Sequence, residues 1–292
     1  MTRITERKSD PRLAPGGDPS LAIARLLSLH GDRIHALARR LCRTTADADD
    51  LVQDVFLQAF RRWSTFRGDA DPGTWLYTIA MRMGRRRWRQ ASRARSLPST
   101  GHLMPWSEST VMSVVSRDDG SGRAERAEAI DAIQRAVTRL PEHLRVPIVL
   151  KEVLERPVDE IATMLGLAVN TVKTRLHRGR LFLRRTAAEQ SRAVTAPAPI
   201  YEKQVCLDLL KTKLAAMDEG RRFAIPQAEL CARCRSVFRE LDLVHDACAE
   251  MSRGALPVGL RRSIERAIAA RESTTPSPKR RGRRPVTSSR PH

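Results

Sequence analysis

An all-α fold is what this sequence predicts, and three observations predict it. Apolar residues recur at i, i+3, i+4 and i+7 through several long stretches, the spacing that gathers them on one face of a helix. No stretch alternates apolar and polar residues over a useful length, so no half-buried strand is expected. Residues 157–180, PVDEIATMLGLAVNTVKTRLHRGR, read as two short helices joined by a glycine turn. The expected order is a disordered tail over 1–19 and a helical domain over 20–91. A linker over 92–122 and a second helical domain over 123–188 follow. A linker over 189–200, a cysteine-bearing helical extension over 201–270 and a disordered basic tail over 271–292 complete the 292 residues.

In the first domain, the segment from Thr45 to Trp63 carries Ala48, Leu51, Val52, Val55, Phe56, Ala59 and Phe60 as a core-facing stripe. Thr45 is placed to cap this helix, and Asp47, Asp49 and Asp50 suit its positive end. Asp50, Gln53, Asp54 and Leu57 share the opposite face, which has two readings: acids that serve helix capping alone, or, with a leucine exposed among them, a docking surface for a basic partner helix. The next stretch reads as a loop, Ser64–Pro72, followed by a basic helix beginning near Gly73 or Thr74. Seven arginines fall between Arg82 and Arg95 with no acid among them, and aromatic residues interleave at Phe66, Trp75, Tyr77 and Trp88. Arginine supplies phosphate affinity, and aromatic faces stack on unpaired bases. Trp75 has core spacing and is expected to pack. Tyr77, Arg82, Arg85 and Arg86 are the better candidates for nucleic-acid contact.

The helix-turn-helix follows the same logic. Ile161, Ala162, Leu165, Leu167, Val172 and Leu176 fall on one side of its two helices, and Gly166 sits where the chain must bend. Asn170 is expected to cap the second helix. The outer face then carries Thr171, Lys173, Thr174, Arg175, His177 and Arg178, a donor-rich surface on the scale of a DNA major groove.

Charge and composition bound the function. Fifty-three Lys+Arg against 33 Asp+Glu give a formal charge of +20, and a chain this basic meets a polyanion. No apolar run reaches membrane-spanning length and the N-terminus lacks a leader-like apolar region, so no membrane partner is expected. Five scattered cysteines fit reduced thiols and a cytoplasmic location. No nucleophile–base pair, P-loop or carboxylate dyad points to an enzyme.

Taken together, ADADDLVQDVFLQAFRRW (46–63), TFRGDADPGTWLYTIAMRMGRRR (65–87) and LPEHLRVPIVLKEVLERPVDEIATMLGLAVNTVKTRLHRGRLFLRR (140–185) resemble, in this order, the two halves of a bacterial RNA polymerase sigma factor of the extracytoplasmic-function group. The resemblance implies that Asp50, Gln53, Asp54 and Leu57 bind a coiled coil of core RNA polymerase. It implies that the loop with Phe66, Arg67, Gly68 and Asp69 captures a base flipped from the −10 element of promoter DNA, and that Tyr77, Arg82, Arg85 and Arg86 hold the adjacent strand. Asn170, Thr171, Lys173, Thr174, Arg175, His177 and Arg178 would read the −35 element. A separate anti-sigma protein is a further partner compatible with this resemblance. The alternative is a polymerase-independent helix-turn-helix regulator with a metal- or thiol-sensing domain; such a protein needs neither the acidic face nor the aromatic loop.

The last hundred residues exceed a minimal factor of this group. Cys206 and the Cys-x-x-Cys at Cys231–Cys234 resemble a zinc-binding anti-sigma domain, except that Gln227 stands where that pattern has histidine. His245 or Cys248 replaces the missing ligand only if the helix breaks, since His245 lies about 16 Å along an unbroken helix from Cys234 at ~1.5 Å per residue, and thiolates of one zinc sit about 4 Å apart. Zinc on Cys206, Cys231 and Cys234, a metal-free core of small thiols, and a thiol switch all remain open. In each case the extension is expected to regulate in cis, by masking or releasing the polymerase-binding face. Cys42, on a core-like helix, is expected to be inert.

Overall fold

A computed structural model describes residues 10–42, 44–93, 114–115, 123–190, 194–195, 197–198 and 200–273. Residues 1–9 of the expected N-terminal tail, most of the first linker, parts of the second and the basic tail beyond 273 lie outside the described residues.

Three helices build the first unit. Helix α1 spans Pro19–Leu41; the Asp18 carboxylate accepts the N–H groups of Ser20 and Leu21, and Pro19 fills a position that needs no donor. Helix α2 spans Thr45–Arg62 and is capped by Thr44, one residue before the expected Thr45, whose hydroxyl accepts the Asp47 N–H at 3.1 Å. Helix α3 spans Pro72–Arg93 and starts earlier than expected, because Asp71 accepts from Gly73 and Thr74 N–H and Pro72 takes the first turn. The three pack pairwise, and the α2 stripe Ala48, Leu51, Val52, Val55, Phe56 and Ala59 is buried between them. Residues 10–18 differ from the expected disordered tail. Pro11–Leu13 form a 3₁₀ turn, Leu13 is buried, and Asp10 holds Arg12 and Arg25.

The second unit comprises α4 (Arg123–Arg139), α5 (Glu142–Ile148), α6 (Val158–Leu165) and α7 (Val169–Gln190). Pro147 inside α5 has no N–H to give, and behind it the ladder widens into a π turn over Val149–Val153. Gly166 closes α6 at φ 63°, ψ 42°, the left-handed conformation a side chain resists. Helix α7 starts at Val169, so Asn170 lies inside it and does not cap it; Thr171 N–H reaches the Ala168 carbonyl instead. The fold stays all-α apart from a two-residue strand pair, β1 (Val114–Val115) antiparallel to β2 (Val194–Thr195), which joins the two linkers. Two residues are too short to leave an alternating pattern.

The extension adds α8 (Lys203–Asp218), α9 (Ala232–Glu250) and α10 (Val258–Glu272). It packs on the rest of the chain: α9 lies on α4 and α7, and α10 lies on α1 and α2. Its own apolar cluster of Cys206, Leu210, Leu214, Leu230, Cys231, Cys234, Val237, Phe238 and Leu241 takes in Leu181 from α7. The first two units also touch, through α3 against α6.

Candidate functional site

The acidic face of α2 lies where the helical period puts it, opposite the α1–α3 core. Asp50 is exposed, Gln53 is half-buried and Asp54 pairs with Arg87 of α3. The expectation that Leu57 is exposed is corrected: it is 9% exposed and belongs to an apolar cluster that includes Ile264 and Ile268 of α10. Sequence alone could not reveal that α10 packs on α2, because α10 lies some two hundred positions away.

Several nucleic-acid candidates of the first unit are also placed differently. Phe66 is buried rather than presented by an open loop; it stacks on Trp63 with ring centroids 5.0 Å apart and packs against Trp75 at 5.4 Å. Arg67, Gly68 and Asp69 are exposed. Gly68 takes φ 82°, and a Cβ there would come within 2.8 Å of Pro15 Cγ, so the N-terminal turn closes over this loop. The two enclose a crevice of about 490 Å³ lined in part by Phe66, Gly68, Asp69 and Pro15. Tyr77 is fully buried. Its ring stands edge-on to His30 at 5.6 Å, its hydroxyl is 3.3 Å from His30 Nδ1, and the Arg156 guanidinium lies 5.3 Å over its face. Arg82 and Arg86 are exposed, whereas Arg85 donates to Glu142 of α5 at 2.8 Å.

Ile161, Ala162, Val172 and Leu176 are buried, with Leu165 and Leu167 half-buried. Asn170, Lys173, Thr174 and Arg178 are exposed on α7, and Thr171, Arg175 and His177 are partly buried.

Sequence reading missed the residues that join the units. Arg156 pairs with Glu160 and reaches the Thr74 hydroxyl at 3.3 Å; Thr74 in turn donates to Glu160 at 2.9 Å. Thus α6 is hydrogen-bonded to the first turns of the basic helix α3. Deeper in, Arg180 is fully buried and bonded to Glu152 at 2.6 Å and Asp218 at 2.5 Å, while Arg184 pairs with Glu240 at 2.5 Å. Arg180 and Arg184 look like part of a solvated basic run. The available signal was phase: they are four residues apart and share a face with Leu176, Leu183 and Ala187. Glu152 also receives His245 at 2.7 Å. Burial would push the Glu152 carboxyl up, but Arg180 and His245 bring it down to about 2. The Glu152 partnership raises the affinity of His245 for its proton, against the opposing effect of burial.

Cys206, Cys231 and Cys234 are buried together, their sulfurs all within 4.8 Å of one another. Cys231 caps α9 and accepts the Cys234 N–H at 3.4 Å. Burial pushes its thiol up, but that N–H and the neighbouring thiols bring it below its ordinary value, whereas burial raises Cys206 and Cys234. Three converging thiols fit a thiophilic metal. Gln227 is exposed on a 3₁₀ turn, and α9 runs unbroken through His245 and Cys248, so among the described residues no fourth Cys, His, Asp or Glu joins the group. Cys42 is half-buried and its thiol is pushed up to about 11 by burial.

Comparison with known proteins follows this division. Residues 26–94 match the Sigma-70 region 2 family and residues 130–183 match Sigma-70 region 4. The ECF RNA polymerase sigma factor SigM of Mycobacterium tuberculosis is 33% identical over 164 residues, covering 56% of this chain and 76% of the relative. SigW of Bacillus subtilis, also an ECF RNA polymerase sigma factor, is 31% identical over 168 residues, covering 56% of this chain and 88% of the relative. Among solved structures, the sigma factor RpoE from Bartonella quintana, in complex with the anti-sigma factor NepR, aligns with a TM-score of 0.42 at 22% identity, over 56% of this chain and 94% of that one. Both family matches end before the extension begins.

Proposed function

The chain belongs to the extracytoplasmic-function family of RNA polymerase sigma factors, and from that premise we propose how its surfaces divide the work of promoter-specific initiation. The acidic outer face of α2, with Asp50, Gln53, Asp54 and Leu57, docks core RNA polymerase. The loop at Phe66–Asp69 and the basic helix α3, with Arg82, Arg85 and Arg86, engage the melted −10 element; flipping a base costs a few kcal/mol of stacking, which basic surroundings and an aromatic pocket offset. Lys173, Thr174 and Arg178 on α7, with Asn170, Thr171, Arg175 and His177 beside them, read the −35 element in the major groove. RNA synthesis belongs to the polymerase, so the chain acts as a specificity subunit and not as a catalyst. Its place of action is the cytoplasm, where polymerase and DNA are; no helix among the described residues is long and apolar enough to cross a membrane.

One observation carries this reading. A three-helix unit with an acidic docking face precedes a helix-turn-helix unit with an outward basic face, in the order of the two family matches. Reconstituted transcription with purified core polymerase, on DNA upstream of the chain's own gene and on a genomic promoter pool, tests it. Initiation should require this chain and fail with Asp50→Arg and Asp54→Arg together. Tight binding to the upstream duplex without polymerase, and no initiation on either template, would replace the reading with an operator-binding regulator.

The extension regulates the factor in cis, and a separate anti-sigma protein is a second route of control on the same face. Cys206, Cys231 and Cys234 would hold zinc, which when bound supplies a cross-link between α8 and the start of α9. The chain's own contribution is to bring the thiols together and to favour the Cys231 thiolate at a helix N-terminus. Metal analysis of the purified chain should find about one zinc per molecule, released by chelator and lost in Cys231→Ser.

A further inference from the structure

The outer face of α2 already has an occupant. Helix α10 is amphipathic, with Leu260, Ile264, Ala267 and Ile268 on one side and Arg261, Arg262, Arg266 and Arg271 among its remaining positions. It packs on α1 and α2. Ile264 and Ile268 are buried in the cluster that contains Leu57, with Phe60 and Leu260 packed at its edge. On α2, Gln53, Leu57 and Phe60 fall at i, i+4 and i+7 and are half-buried to buried, while Asp50 beside them stays open. The seat is shaped for this segment. The Asp32 carboxylate of α1 accepts the Leu256 N–H at 2.8 Å and lies 3.9 Å from the Arg261 guanidinium. A Cβ on Gly31 would stand 3.1 Å from Leu256 Cδ2.

We propose that α10 is an internal competitor for core RNA polymerase: a basic amphipathic helix, carried by the chain itself, that sits on the α2 face the polymerase helix must take. The inference rests on the reading that this face docks polymerase. Charge and shape favour one kind of occupant, a basic helix with an apolar edge, and α10 meets that description. Its hold is light enough to yield, since Ile264 and Ile268 are the buried residues among its fifteen, whereas a stable protein interface covers about 800 Å² on each partner. The arm is short. Residues 251–257 separate α10 from α9, and α9 is fastened to α7 by Glu240 and Arg184. The clasp therefore spans from the helix-turn-helix unit to the polymerase-binding unit, and polymerase entry must displace it at a cost in apparent affinity.

The test compares the full chain with Ile264→Asp/Ile268→Asp, following α10 by hydrogen exchange and core polymerase by fluorescence titration. Release of α10 should tighten polymerase binding about tenfold, within the usual range of such couplings. A peptide of residues 258–272 added in trans should weaken the variant's binding again. A gentler pair guards against a folding defect: Arg261→Glu should tighten binding by a smaller factor, and Arg261→Lys, which keeps a positive charge facing Asp32, should leave it unchanged. An α10 that exchanges freely while polymerase affinity stays the same overturns the proposal and leaves the sigma assignment standing. Failure of every form to bind polymerase overturns both.

Discussion

Arg180 is the residue on which the joint between the helix-turn-helix unit and the extension turns. It is fully buried between Asp218 and Glu152, and it pairs with both carboxylates, sharing Glu152 with His245. Removing one partner of a buried ionic group strands the other charges, at about 3–5 kcal/mol. Arg180→Met should therefore lower the urea midpoint by a loss of that order, and a triple change with Glu152→Leu and Asp218→Leu should recover most of it. The pH dependence follows from Glu152. Its folded pKa of about 2 lies below its ordinary 4.5, so the stability it contributes is complete above 4.5 and is lost as pH falls toward 2. His245 has the opposite sign. Its pKa is raised from 6.5, so its contribution is complete below that value and is lost as pH rises through the raised one. Urea midpoints measured across pH should fall on the acid side in the native chain, and that fall should be shallower in Glu152→Gln.

At the scale of elements, Gly179 shows why a helix can carry its least favoured ordinary residue. It sits inside α7, where glycine costs about 1 kcal/mol relative to alanine. A Cβ there would stand 2.5 Å from Ile148 Cγ1 and 2.9 Å from its Cδ1, so glycine is what lets α7 lie close on α5. Gly179→Ala should destabilise by about 1–3 kcal/mol despite the better helix propensity. Ile148→Ala should cost less in that background than in the native chain, and a double-mutant cycle by chemical denaturation measures the difference. Helices as such were legible because their apolar stripes are local, as in α2 and the helix-turn-helix. Their starts were read one or two residues off at Thr44, Pro72 and Val169, since a cap is decided by which neighbour's oxygen reaches the first N–H groups. The convergence of Cys206 with Cys231 and Cys234 was visible as spacing, because the Cys-x-x-Cys fixes two sulfurs and the pattern suggested the third. The departure of His245 and Cys248 from that group followed from α9 being continuous.

At the scale of the whole molecule, the sequence implied three units separated by linkers, and the structure folds them onto one another. The pattern could not announce this, because many of the groups that join the units are charged or small polar residues far apart in the chain. Thr74 meets Glu160 and Arg156, Arg85 meets Glu142, and Arg126 meets Asp246. Each looks in isolation like part of a solvated face. Their assembly has a consequence for DNA. Tyr77 is sealed under Arg156, and Arg85 is occupied by Glu142, so part of the basic helix α3 faces the helix-turn-helix unit instead of a strand. In contrast, Lys173, Thr174 and Arg178 on α7 remain open. The −10 engagement proposed for α3 therefore requires the two units to part, whereas the −35 contact proposed for α7 does not. Dyes placed through unnatural amino acids at the exposed positions 61 and 163, outside the proposed DNA contacts, should show high energy transfer in the free chain, little change with duplex −35 DNA alone, and a large fall once core polymerase and a full promoter are added. Arg156→Ala with Glu142→Ala should lower transfer in the free chain and raise its affinity for single-stranded DNA, because both substitutions remove contacts that hold the units together without touching the exposed Arg82 and Arg86. Unchanged transfer on assembly with polymerase and promoter would mean that the closed arrangement is itself the active one.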